Sequence, residues 1–258
     1  MQSEQQGHYL NQYHAISNSR ISKSAVSFTL DKQFYKKAID TTIGTCVHIL
    51  SAFRFTWEKN IEGNLRVVRI LKDRGLNVTY TICGDGDDLS MLKYFVRRYN
   101  LESNVQLMGR VSPQAYCEIL ENNSIFLQLS FSEALPASVI EAQGFGIPAI
   151  VSDAGGMPEA IVDGKTGYIV NDYDYVEAAN KIMVLMNDKD LYESFSAEAI
   201  ENVKTKFTVK CEIDRVMSVY DKLSPAYADV SEDIAEYEPV ITEPLISELL
   251  MSRTADGQ

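Results

Sequence analysis

Ser124-Ile125-Phe126-Leu127-Gln128-Leu129-Ser130-Phe131-Ser132-Glu133-Ala134-Leu135-Pro136-Ala137-Ser138-Val139-Ile140-Glu141-Ala142 holds a strand, a turn and a helix start in one short stretch. The apolar run from Ile125 to Leu129 has the length and content of a buried strand. Pro136 marks the first position of a helix, where its fixed φ suits the helix and its missing N–H costs nothing. The amides of Ala137 and Ser138 are then free to face a pocket. A helix N-terminus carries unpaired donors and partial positive charge, so it suits a phosphate or an electron-rich oxygen. Glu133 falls in the turn above that terminus and Glu141 lies more than one helical turn inside it, so the two carboxylates are expected to meet different parts of one elongated ligand.

The same rhythm runs outward in both directions. Cys46 to Phe53, Val78 to Cys83, Val105 to Met108, Ala149 to Val151 and Tyr168 to Val170 read as further strands. Helical patterns lie between them: Leu65, Val68 and Leu71; Leu89, Leu92, Phe95 and Val96; Pro113 to Leu120; and a turn from Pro158. Units of roughly 30 residues fit right-handed βαβ crossovers. The fold class expected is α/β, a Rossmann-like parallel sheet with helices on both faces. Residues 174–223 read as helical throughout. The first 40 residues fit this rhythm poorly and hold one strand fragment, Ala25 to Phe28.

Bulk properties narrow the function classes. The chain has 258 residues, 45% of them hydrophobic, and net charge −12. Residues 224–258 carry eight acids against one base, Arg253, and so supply seven of those twelve charges. A nearly neutral body with an acidic appendage argues against nucleic-acid binding, which relies on Lys and Arg neutralising phosphates. The tail reads as a solvated segment, with Leu245, Ile246 and Leu249 to Met251 as a short amphipathic stretch. There is no apolar run long enough for a membrane span, and the polar start lacks a signal-peptide pattern, so a cytoplasmic protein, in places peripheral to a membrane, is expected. Four scattered cysteines, Cys46, Cys83, Cys117 and Cys211, suggest neither a disulfide framework nor a zinc site and are expected to pack as small hydrophobes. His8, His14 and His48 do not cluster. Gly84-Asp85-Gly86-Asp87-Asp88 lacks the third glycine of a dinucleotide fingerprint; Asp87 or Asp88 is expected to cap the next helix rather than bind metal.

Four segments together resemble the donor-binding, C-terminal domain of retaining GT-B glycosyltransferases. Arg54 to Lys59 resembles that family's loop with Arg and Lys five apart. Ile82 to Gly86 is similar to its second strand and glycine turn, and Met108 to Val111 to its base-side loop. Glu133 to Glu141, continued by Gly146-Ile147-Pro148 and Ser152 to Glu159, resembles its Glu-x7-Glu signature and the turn that follows. The resemblance implies that Arg54 and Lys59 hold a diphosphate, Glu133 the hydroxyls of a donor sugar and Glu141 a ribose. It implies that Gly84, Arg110 and Val111 line the nucleotide, and that Leu135, Pro136, Ala137 and Ser138 offer backbone amides to sugar and phosphate. The donor would be a nucleotide-diphosphate sugar with no metal or other cofactor, and the acceptor a hydroxyl of a glycan or lipid. Ala134-Leu135-Pro136 departs from the glycines and aromatic common after the first Glu and is expected to reshape the sugar pocket. The domain order implied is a connector or remnant over 1–40, a nucleotide-sugar-binding domain over 41–223 and an acidic tail over 224–258. An acceptor domain does not fit in the first 40 residues. The expectations are therefore a donor-binding half served by a partner acceptor domain or, alternatively, a non-catalytic nucleotide-sugar-binding module or gene fragment.

Overall fold

Val47-His48-Ile49-Leu50-Ser51-Ala52 alternates side chains between two faces of a strand, and both faces are covered, as the near-continuous apolar strands of a parallel sheet require. In the computed structural model, which describes residues 46–171 and 173–227, this strand is β1. It leads through a 3-10 turn at Trp57–Lys59 into α1 (Ile61–Asp73). There follow β2 (Val78–Cys83), α2 (Leu89–Arg98), β3 (Val105–Gly109), α3 (Pro113–Glu121), β4 (Ile125–Gln128) and α4 (Ala137–Gly144). Next come β5 (Ala149–Ser152), α5 (Met157–Ala160), β6 (Gly167–Val170), α6 (Tyr175–Asn187), α7 (Lys189–Lys206) and α8 (Val209–Tyr227). The strand fragment at residues 25–28, His8, His14 and the acidic tail from residue 228 onward lie outside the described residues.

The six strands pair in parallel in the order β3-β2-β1-β4-β5-β6. This is the expected Rossmann-like α/β fold. The chain builds outward from β1 in one direction, then returns and builds outward in the other. The loops leaving β1 and β4 therefore diverge at the C-terminal edge of the sheet and open a crevice there, the place where such sheets bind ligands.

Period-two alternation divides the apolar side chains between two cores. Ile49, Tyr80, Ile82, Ile125 and Leu127 meet Leu65, Val68 and Leu71 of α1, Leu92 of α2 and Ala178 and Ile182 of α6. Leu50, Phe126, Ala149 and Val151 point the other way, against Leu120 of α3, Val139 and Ile140 of α4 and Val203 of α7. Buried polar groups within the sheet are paired with each other: the Ser51 hydroxyl contacts the Tyr80 hydroxyl at 2.7 Å and donates to the Leu127 carbonyl. His48 sits in β1, its Nδ1 2.8 Å from the Thr79 hydroxyl. By contacts the chain divides into two units. One contains the whole sheet, up to Asp214; the described part of the other is the end of α8 from Arg215.

Three expectations change in detail. Pro136 is the N-cap of α4 rather than its first residue: its ψ of 92° is extended, and its carbonyl accepts from the Val139 and Ile140 amides at 3.2 Å. Asp88 stands at the N-cap of α2, but at φ −88° and ψ 15° its carboxylate makes no capping bond. The cysteines are all free, yet only Cys83 is buried, while Cys46, Cys117 and Cys211 are half-buried.

Candidate functional site

Three loops meet at the crevice because their backbones are tied together. After β1, Phe53 N donates to Cys83 O at 3.1 Å and Phe55 N to Asp85 O at 2.9 Å; Asp88 N donates back to Phe55 O at 3.1 Å. These bonds demand close backbone approach, and glycine supplies it. A Cβ on Gly84, at φ 134°, would fall 1.9 Å from Phe53 O. On the other side, the β2–β3 ladder shifts register so that Cys83 pairs with Gly109, and Gly84 N donates to Gly109 O at 2.8 Å. Such an irregularity re-aims the chain that follows it, here Arg110 and Val111.

The result is a cavity of about 750 Å³ lined by Phe53, Arg54, Gly84, Asp85, Gly86, Asp87, Arg110, Val111, Pro113, Tyr116 and Glu141, among others. Five of the residues singled out in the sequence, Arg54, Gly84, Arg110, Val111 and Glu141, share this one space. Arg54 is exposed at its mouth, and Glu141 is half-buried.

Lys59 and Glu133 lie elsewhere, bonded to each other. Lys59 Nζ donates to Glu133 Oε2 at 2.5 Å, and their side chains are only 16% and 13% exposed. Glu133 Oε2 also accepts from Gln128 Nε2 at 2.8 Å, and Gln128 Oε1 accepts from the Ser138 hydroxyl at 3.1 Å. One carboxylate oxygen thus takes both bonds while Oε1 remains for a ligand, and the three-donor ammonium of Lys59 keeps donors in reserve. Leu135, Pro136, Ala137 and Ser138 stand apart from the cavity lining. Leu135 packs on the second core, Pro136 is buried and Ala137 is exposed at the start of α4. The α4 N-terminus, one residue past the buried proline, is nonetheless beside the Lys59–Glu133 pair through Ser138.

The Glu133 loop is held by backbone contact. Gly156 N donates to Glu133 O at 2.9 Å. A Cβ on Gly156 would sit 1.4 Å from Ala134 O, and one on Gly155, at φ 53°, would sit 2.0 Å from Glu133 O. Asn64, buried in α1, joins the other two loops: its side-chain nitrogen lies 3.0 Å from both Lys59 O and Leu129 O, and its Oδ1 accepts from Leu129 N at 2.9 Å. Asn64, Gln128 and Tyr116 carry the site without having been singled out in the sequence. A polar residue inside an otherwise apolar strand was the available signal for Gln128. Tyr116 has its hydroxyl buried with no hydrogen-bond partner among the described residues. Burial first, then the nearby Glu141 charge, raise its pKa well above the ordinary phenol value. Burial likewise pushes the Cys83 thiol, at the cavity floor, up to about 11.

With this geometry in place, comparison with known proteins is decisive for the family. The model of glycosyl transferases group 1 matches residues 41–202. The chain belongs to this family. Among curated relatives, the N-acetyl-alpha-D-glucosaminyl L-malate synthase of Bacillus anthracis is 28% identical over 152 residues, covering 59% of this chain and 38% of its own. The fold also matches solved glycosyltransferases. A TarM variant of S. aureus, in a crystal structure with Fondaparinux, alpha-GlcNAc-glycerol and UDP, superposes with a TM-score of 0.62 at 24% identity, covering 73% of this chain and 36% of that one. The C-terminal domain of the group 1 protein LpcC from Francisella tularensis superposes with a TM-score of 0.56 at 21% identity, covering 63% of this chain and 87% of that domain. The chain thus spans well under half the length of the first relative and of TarM. Among the described residues, no helix is long and apolar enough to cross a membrane.

Proposed function

We propose that this group 1 glycosyltransferase chain is the donor-binding half of a retaining GT-B enzyme, transferring a sugar from a nucleotide-diphosphate sugar to an acceptor hydroxyl of a glycan or lipid. The observation that carries the reading is the convergence of Arg54, Arg110, Val111 and Glu141 on one cavity at the switch point of the sheet, with the Lys59–Glu133 pair beside it. In this reading the nucleoside occupies the cavity, its ribose hydroxyls bonded to Glu141 and its base against Arg110 and Val111. The diphosphate lies towards Arg54, Lys59 and the α4 N-terminus, and the sugar against Glu133 and Gln128.

Breaking the sugar–phosphate bond places negative charge on the departing diphosphate. Fixed cations and helix-end donors stabilise that charge without rearranging during the reaction. Glu133, held by Lys59 and Gln128, presents Oε1 to sugar hydroxyls in a set orientation. Side-chain cations supply the charge, so donor binding proceeds without a divalent metal, and Asp85 and Asp87 act as turn residues. The UDP in the TarM complex makes UDP the first nucleotide to try. Calorimetric titration with UDP and GDP, in EDTA and then with magnesium, tests the reading: binding in EDTA is expected. Binding confined to magnesium would turn the acidic turn into a metal site, and binding of neither nucleotide would overturn the donor reading.

A further inference from the structure

A row of three aromatic rings runs across the same edge of the sheet and plays no part in the nucleotide cavity. Trp57, in the 3-10 turn after β1, stacks on Phe131 from the β4–α4 loop, with centroids 6.4 Å apart and planes at 29°. Phe131 in turn lies 5.4 Å from Tyr173 of the β6–α6 loop, with planes at 30°. Trp57 is 69% exposed and Tyr173 67%, an unusual outlay of aromatic surface to water. The loops beneath are fixed: Phe131 N donates to Glu58 O at 2.8 Å, and Tyr173 N to Asn171 Oδ1 at 3.0 Å.

Both ends of the row are polar. At one end, Trp57 and Phe131 each stand two residues before a member of the Lys59–Glu133 pair. At the other, Tyr173 enters a second cleft of about 520 Å³ shared with Glu62, Arg66, Arg98, Tyr99 and Tyr175. There the Tyr99 hydroxyl donates to Glu62 Oε1 at 2.6 Å, and the Arg66 guanidinium both donates to Glu62 and lies over the Tyr175 ring. The aromatic row is therefore flanked at both ends by held donors and acceptors. A pyranose ring is the complementary object, with C–H groups on its faces and hydroxyls around its rim. A lipid chain would leave the polar cleft unmatched, and a nucleoside would need only one ring.

We infer that the exposed rings of Trp57 and Tyr173, with Phe131 packed between them, form a carbohydrate subsite that stacks sugar rings of an oligosaccharide acceptor, whose reacting end lies at the Lys59–Glu133 pair and whose distal part enters the Glu62–Arg66 cleft. The inference rests on the donor reading for its orientation, while the stacking surface stands on its own geometry.

Trp57 is the sole tryptophan of the chain, so its emission reports on this surface alone. The full chain is titrated with defined gluco-, galacto- and N-acetylglucosamine-based hexasaccharides while Trp57 fluorescence is followed, and with UDP by calorimetry in parallel. A saturable change with at least one hexasaccharide is expected, weakened tenfold or more by Tyr173→Ala and retained by Tyr173→Phe; Tyr173 is exposed, so neither substitution threatens folding. No response to any hexasaccharide, or a response indifferent to Tyr173→Ala, overturns the subsite. Emission that shifts with protein concentration instead of sugar marks the row as a protein contact and overturns it too. UDP binding without an oligosaccharide response removes the subsite and keeps the donor reading, whereas the reverse keeps the subsite and removes the donor reading.

Discussion

Replacing Gln128 by Leu removes the amide that holds Glu133 Oε2 and the acceptor of the Ser138 hydroxyl, and leaves the Lys59 bond as the only side-chain restraint on that carboxylate among the described residues. Losing a hydrogen bond to a charged group is worth about 1.5–3 kcal/mol, so affinity for a UDP-sugar is expected to fall roughly ten- to a hundredfold. UDP itself, which has no sugar to meet Glu133, is expected to bind as before, and calorimetry with both ligands separates the two. Arg54→Ala is expected to weaken UDP and UDP-sugar alike by a similar factor, because the proposed donor reading places it on the shared diphosphate. The buried Cys83 thiol sets a pH dependence. Its pKa rises from 9.0 to about 11 on folding, through burial. Its contribution to stability is therefore intact below about pH 9 and is lost as the pH climbs towards 11, because the unfolded chain ionises first. A Cys83→Ala variant is expected to lose less stability than the parent between those values, as followed by urea unfolding at each pH.

At the scale of elements, the loops depend on backbone meeting backbone. Gly156→Ala places a methyl group 1.4 Å from Ala134 O, which no rotamer relieves, so the Glu133 loop must move. A stability loss of about 1–3 kcal/mol is expected from such overpacking, together with loss of UDP-sugar binding; unchanged melting and unchanged binding would contradict the close approach. Strands were legible in the sequence because parallel strands buried on both faces are continuous apolar runs, and their bounds agree to within a residue or two; residues 174–223, read as helical throughout, are instead three helices broken at Asp188 and at Phe207–Thr208, the last running on to Tyr227. Arg54, Gly84, Arg110, Val111 and Glu141 were legible as a group through the family resemblance of their segments, the first four in loops that follow strand ends and Glu141 inside the helix after one. The bond between Lys59 and Glu133 was not, since nothing local links residues 74 positions apart. Asn64 was invisible for the same reason: its partner Leu129 lies 65 positions away, and only the finished fold joins them. The Asp88 cap was misread because composition marks the position while the ψ angle decides whether the carboxylate can reach an amide.

At the scale of the whole molecule, the described cavity and the Lys59–Glu133 pair form a single wall at the sheet edge. Closing a cleft over such a wall positions an acceptor and excludes water. The purified chain is accordingly expected to bind a UDP-sugar yet show little multiple-turnover transfer to simple acceptors, and robust turnover without a second polypeptide would refute this. The seam between Glu133–Leu135 and Gly155–Gly156 bears on how such a molecule changes over generations. Two main chains touch there with no side chain between them, so the path of the Glu133 loop has nothing that point substitutions can trim. The side chains left free to change on that loop are Ala134, which is exposed, and the half-buried Leu135 beside it. On the proposed donor reading, a lineage adopting a new donor sugar would alter these two side chains and inherit the loop unaltered.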